Sequence, residues 1–267
     1  MSVLLRPHVP PFAGTRAAPL DTSAPWEPAE GGGAFSPAML GSRLTLWLDE
    51  RGQSATAWAD NSPAANSLVD GGVGHRPTTG GTVGGLAALA FNPADPDYLL
   101  GPAGVGSAAY VSTTGARILC VVDNTGKTPA ADQAGTHLEP TIITLAVSTA
   151  GYIGLAWSIS GPRAYAYDGA FKPTARASAP VGAYLLDIQL SGGTLSLRKG
   201  NEAAVTVGSV GALASAGTRL AVGCNYALAS PGGFDGKIPA VFVINDACTD
   251  LGNALRAYIG AKWGVAV

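Results

Sequence analysis

The chain has 267 residues, 37 of them glycine and 19 proline, and 13% are charged against a usual ~25%. Its formal net charge is -2, with no cluster of Lys or Arg, which argues against a nucleic-acid footprint. The length suits one large β-sandwich with a well-buried core and calls for no second domain. With so few charges the surface must be built largely from Ala, Gly, Ser and Thr; that suits packing in an assembly, and an Ala/Gly-biased genome would produce it equally well.

Residues 1–36 carry Pro7, Pro10, Pro11, Pro19, Pro25, Pro28 and Gly31-Gly-Gly33, with no period of 2 or 3.6. They read as an extended arm rather than a domain. Its apolar anchors are Val3, Leu4, Leu5, Phe12, Trp26 and Phe35, placed to dock on a neighbouring subunit or back along the same sandwich. Arg6, Pro7, Pro10 and Pro11 interrupt any signal-peptide core, and no run approaches a membrane span, so neither export nor membrane insertion is expected. Cys120, Cys224 and Cys248 are odd in number and read as reduced, small apolar residues.

From residue 37 onward the pattern is that of strands, expected at 44–48, 86–91, 116–122, 141–147, 152–158, 163–167, 184–190, 194–197, 204–207, 218–222 and 238–244, with Gly, Pro, Asn and Asp between them. Short strands joined by tight turns imply an all-β antiparallel sandwich over 37–267. Ser191-Gly-Gly193 is the clearest hairpin loop. Only near the end does a helical period set in: Leu251, Leu255, Tyr258, Ile259 and Trp263 predict one helix over about 250–263, capped by Asp246 or Thr249 and stopped by Gly264. Trp47, Trp58 and Trp263 are assigned to the core.

Three stretches, in order, carry a resemblance. These are Leu44-Thr-Leu-Trp-Leu-Asp49 with Trp58-Ala-Asp-Asn-Ser62; Leu86-Ala-Ala-Leu-Ala-Phe-Asn92 with Asp97-Tyr-Leu99; and Phe234-Asp-Gly-Lys-Ile238, running through an apolar strand to Asn245 and a helix ending in Lys262-Trp-Gly264. Over roughly residues 36–264 the chain resembles the concanavalin A-like lectin/glucanase domains of bacteriophage virion proteins. The resemblance implies a concanavalin A-like jelly roll with a C-terminal helix. It also implies a non-enzymatic virion protein, a capsid decoration or tail component assembled in the host cytoplasm. Such a protein would dock through its arm, with other virion proteins and copies of itself as partners and host-surface polysaccharide as a candidate ligand. The family often has an acidic residue after the Ile of the last strand; Pro239-Ala240 stand there, so no ligand role for that acid carries over. A carbohydrate-active enzyme on the same fold and a free carbohydrate-binding module are the alternatives, and the missing export signal counts against the module.

The chemistry-bearing residues favour the first reading. Retaining hydrolysis needs two carboxylates about 5 Å apart, which acids two or four apart on one strand would supply. No strand holds such a pair. Gly126-Lys-Thr128 lacks the upstream Gly of a phosphate loop, Val121 standing in its place, and His8, His75 and His137 lack zinc spacing. No cofactor is implied. Calcium has two candidate loops, Asn92 with Asp95 and Asp97, and Asp123-Asn124 with Asp132; both also read as ordinary turn chemistry. For a glycan or partner, Arg163, Tyr165 and Tyr167 alternate onto one strand face, with Trp157 expected beside them. Sheet packing is the competing reading of both tyrosines.

Overall fold

A computed structural model describes residues 35–94, 96–112, 115–127, 139–145, 152–179, 182–213, 219–225, 228, 233–247 and 249–267. Within them the chain forms two eight-stranded antiparallel sheets and one α-helix, α1 (Thr249–Trp263). The first sheet runs β14 (Val205–Val207), β13 (Thr194–Lys199), β12 (Ala183–Ser191), β7 (Gly115–Asp123), β16 (Gly236–Ile244), β5 (Leu86–Phe91), β4 (Thr78–Val83). In it β1 (Leu44–Leu48) pairs with the second half of β16, beyond the stretch that β5 covers. The second sheet runs β11 (Phe171–Pro173), β10 (Gly161–Tyr167), β9 (Tyr152–Ser158), β8 (Thr141–Thr144), β15 (Ala221–Val222), β6 (Leu99–Leu100), β3 (Leu68–Asp70), β2 (Ala57–Trp58).

All nine residues of β7 are buried because apolar layers lie on both of its faces. Ala116, Ile118, Cys120 and Val122 join the core between the sheets, together with Val241 and Val243 of β16 and Leu155 and Trp157 of β9. Burial alone pushes the Cys120 thiol pKa well up, as suits a small packing residue and not a nucleophile. On the opposite face Leu119, Val121, Leu185 and Phe242 meet Leu255, Ile259 and Trp263 of the helix. The period seen in the sequence is therefore the face that docks.

Two glycines are required by the helix. Gly252 lies against Arg117, where a Cβ would come within 2.1 Å of the guanidinium. At the β4–β5 turn Gly84 has φ +57 and approaches the Trp263 carbonyl, which an added Cβ would meet at 2.3 Å. Beyond the helix, Gly264 takes φ +66 and ends it, as expected. Gly192 and Gly193, both at positive φ, close the two-residue β12–β13 hairpin anticipated from Ser191-Gly-Gly193.

The sandwich is the expected all-β class, but five strands had no sequence signal: β2, β3, β4, β6 and β11. Four have only two or three residues, and β4, Thr-Thr-Gly-Gly-Thr-Val, is an edge strand exposed over most of its length. β4 is held as an edge by backbone pairing, while β2, β3 and β6 bury Trp58, Leu68 and Leu99 in segments too short to show alternation. Conversely, the strand expected at 218–222 shortens to Ala221–Val222. Pro239, where an acid was noted as missing, falls at the register shift in the pairing of β16 with β7, between Lys237 and Ala240. A proline costs no ladder bond at such a bulge, and its carbonyl accepts from Gln53 Nε2 at 3.1 Å.

Candidate functional site

The two outer faces of the sandwich differ. Helix α1 covers much of the first sheet, while the outer face of the second sheet carries the side chains singled out from the sequence. Arg163, Tyr165 and Tyr167 share that face, and Ala164 and Ala166 turn into the core. Trp157 does not join them, and the expectation that it would is corrected. The β9–β10 hairpin pairs Arg163 with Ala156 and Tyr165 with Gly154, whereas Trp157 pairs with Pro162. Cross-strand partners share a face, so that register sends Trp157 into the core, where it is 1% exposed.

Tyr165 is buried as well. Its ring packs over Gly154, where a Cβ would collide at 2.2 Å, and it lies 5.5 Å from the Phe171 ring. Its hydroxyl sits 3.4 Å from Thr141 Oγ1 and 3.5 Å from Thr144 Oγ1, and burial raises its pKa. Tyr165 thus belongs to the fold. Tyr167 and Phe171, by contrast, are half-exposed at the β10–β11 edge. Below them Glu139, itself 1% exposed, accepts from Arg163 Nε at 2.8 Å and from Arg176 Nη2 at 2.5 Å. The Arg163 guanidinium also lies 5.4 Å from the Phe171 ring. Aromatic edges above a fixed ion cluster form a ledge suited to stacking.

The residues behind the family resemblance have structural work. Asp60 of Trp58-Ala-Asp-Asn-Ser62 accepts from the amides of Trp47, Ser62 and Asn66 and from the Ser62 hydroxyl, all within 2.8 Å. Asp49, fully buried, accepts from Trp47 Nε1 at 3.0 Å, from Arg51 and from Lys262 Nζ at 3.4 Å. Burial would raise the Asp49 pKa, but the Arg51 hydrogen bonds and the charges of Lys262 and Arg51 hold it below the usual carboxylate range. The first and third of the resembling stretches thus meet at Asp49.

In the calcium candidates the oxygens are engaged in turns. Asp97 Oδ2 accepts from the Asn92 amide at 2.9 Å, and Asn92 Oδ1 from the Ala94 amide at 3.0 Å. Asp123 Oδ1 accepts from both the amide and the hydroxyl of Thr125, while Oδ2 faces Lys237 Nζ at 3.4 Å. Burial pulls the Asp123 pKa upward, yet those bonds and Lys237 keep it below its ordinary value. Asp95 and Asp132 lie outside the described residues. Among the described residues no three His, Cys, Asp or Glu side chains converge as metal ligands. Of the arm anchors, Phe35 meets Tyr258 of α1 edge-on at 6.2 Å, and Val3, Leu4, Leu5, Phe12 and Trp26 lie outside the described residues.

A polar cluster that sequence reading missed sits beside the helix. Arg117 on β7 donates to Asp187 on β12 through Nε at 3.0 Å and Nη2 at 2.8 Å. Arg256 of α1 donates to the same carboxylate at 2.6 Å and to the Gly200 carbonyl at 2.7 Å. All three side chains are buried. The available signal was one charge inside each of two apolar strands, Ala116-Arg-Ile118 and Leu186-Asp-Ile188. Next to this cluster lies a cleft of about 200 Å³ lined by Arg117, Asp187, Gln189, Ser196, Arg198, Ala204, Thr249 and Asn253.

No protein-family model matches the sequence, and no curated protein matches it. Solved structures do. Domain 4 of AbnA, a GH43 extracellular arabinanase from Geobacillus stearothermophilus in complex with arabinotriose, is 14% identical at a TM-score of 0.50, over 80% of this chain and 98% of that one. The binding domain of botulinum neurotoxin serotype G is 12% identical at 0.58, over 83% and 54%. Trypanosoma rangeli sialidase in complex with the inhibitor DANA is 12% identical at 0.50, over 77% and 31%. The chain spans about half of the neurotoxin domain and a third of the sialidase. At these identities the likeness is one of fold, a lectin-like β-sandwich.

Proposed function

We propose that the chain is a non-enzymatic structural protein of a bacteriophage virion, docked by its N-terminal arm, whose lectin-like sandwich binds glycan at the β10–β11 edge. The observation that carries the glycan reading is the asymmetry of the two outer faces. One is largely occupied by α1, while the other holds Tyr167 and Phe171 half-exposed over Arg163, Glu139 and Arg176. The arabinotriose in complex with the similar AbnA domain lends support at the level of fold. For the virion role the support is the motif set from Asp49 to Trp263 and the sparse charge. Glu139 does not suit hydrolysis in this reading, since both its oxygens are held by arginines.

Glycan-array screening followed by titration tests the ledge. Tyr167→Ala and Phe171→Ala should each weaken binding about tenfold, ~1.4 kcal/mol, without shifting the melting temperature by more than a few degrees, and no polysaccharide should be cleaved. Binding that survives both substitutions places the site elsewhere. For the arm, removing residues 2–36 should leave a folded sandwich that no longer enters particles, scored by mass spectrometry of purified virions. Normal incorporation, or unfolding of the shortened chain, would rule out the arm as the tether.

A further inference from the structure

We propose a second binding site, on the opposite sheet, in the cleft between β12, β13 and the first turns of α1, and infer that its ligand is one sugar ring bearing a carboxylate. The site is independent of the β10–β11 ledge.

Its floor is the polar part of the first sheet's outer face. Backbone register sets Arg117 beside Gln189, Asp187 beside Arg198 and Gln189 beside Ser196, so these five side chains rise from one face. Thr249 and Asn253 of the helix form the wall, and Ala204 is the one apolar residue lining it. A cleft of about 200 Å³ holds roughly seven waters at ~30 Å³ each, or one hexose-sized ring.

Charge selects the anion. Two guanidiniums, Arg117 and Arg198, line the cleft with one carboxylate, Asp187, which Arg256 also pairs from outside the lining. Asp187 is already consumed, Oδ1 by Arg117 and Oδ2 by Arg117 and Arg256. Arg198, exposed at the mouth, makes no hydrogen bond or ion pair among the described residues, and its fork matches a carboxylate.

Hydrogen-bonding capacity selects the hydroxyls. Arg117 Nη2 donates to Asn253 Oδ1 at 3.1 Å, which leaves the Asn253 amide NH2 as the group to donate outward. Gln189 spends its Nε2 on the Ala247 carbonyl at 2.8 Å, and Ser196 its hydroxyl proton on the Gln189 carbonyl at 3.3 Å. Gln189 Oε1 and Ser196 Oγ therefore remain as acceptors. Donors and acceptors alternating around a cationic corner complement a ring with hydroxyls and one acid group; a bare anion would leave the acceptors unused, and a neutral sugar would leave Arg198 unused.

NMR titration of the isotope-labelled full chain with D-glucuronate, D-glucose and inorganic phosphate tests this. Glucuronate should perturb the β12–β13 and α1 resonances and bind about tenfold more tightly than either of the others. Arg198→Gln, at an exposed position, should weaken it several-fold with the melt unchanged, and Asn253→Ala, which also removes an acceptor from Arg117, should weaken it several-fold with a small drop in the melt. The Tyr167→Ala, Phe171→Ala double variant should bind it normally, so failure here and failure of the ledge are separable. Absence of glucuronate binding, or binding indifferent to both cleft substitutions, overturns the proposal. Phosphate binding as tightly would reduce the site to an anion hole, and glucose binding as tightly would remove the carboxylate; either result also overturns it.

Discussion

Truncating Trp263 to Ala is expected to cost about 3–5 kcal/mol, the usual loss for a large aromatic removed from a core, and to lower the melting temperature by about 10 °C for a chain of this size. The ring is 1% exposed and meets Phe242 edge-on at 6.2 Å, in the layer where α1 docks on Leu119, Val121 and Leu185. Its carbonyl abuts Gly84, and the neighbouring Lys262 reaches Glu50 at 2.9 Å and Asp49 at 3.4 Å. Losing the ring therefore loosens the helix end at several contacts at once. Trp263→Phe keeps an aromatic ring in the layer and removes an indole Nε1 that is buried with no acceptor among the described residues, so it should cost less than Trp263→Ala, the remaining loss being the smaller cavity it leaves. Chemical denaturation of both variants checks the pair. An Ala variant as stable as the parent would show that the helix does not hold the sandwich.

The helix was legible because its signal is local, with Leu251, Leu255, Ile259 and Trp263 recurring on one face and Gly264 stopping it. Long buried strands were legible for the same reason: β9 is found where expected at Tyr152–Ser158, and β1 at Leu44–Leu48. What local pattern cannot supply is register between strands. Alternation in β10 correctly grouped Arg163, Tyr165 and Tyr167, yet which β9 residues join them depends on how the hairpin closes, and a step of one residue decides between Ala156 and Trp157. Exposure is equally nonlocal. Tyr165 and Tyr167 look identical in sequence, but the first lies beneath Phe171 of the next strand and the second at the edge. Nor could the cleft be read in advance, since Arg117, Asp187 and Asn253 are brought together only by the pairing of β7 with β12 and the return of the chain as α1.

Asp187→Ala is expected to destabilise the protein by about 3–5 kcal/mol, the cost of leaving a buried partner charge unpaired. Arg117 is 3% exposed and Arg256 4%, and Asp187 is the carboxylate they share. With it gone, two guanidiniums stay desolvated within reach of each other, and the hydrogen bonds to Gly200, Thr249 and Asn253 offset only part of that. The penalty thus comes from the uncompensated cations and not from any large gain in forming the ion cluster. It follows that Arg117→Met, Asp187→Leu and Arg256→Met combined should recover most of the lost stability, because an apolar triad of similar volume carries no desolvated charge. The measurement is guanidinium-chloride unfolding of the single and triple variants. A triple variant no more stable than Asp187→Ala would mean that the cluster stabilises the fold through its own hydrogen bonds; recovery would mean that the sheet can do without these charges.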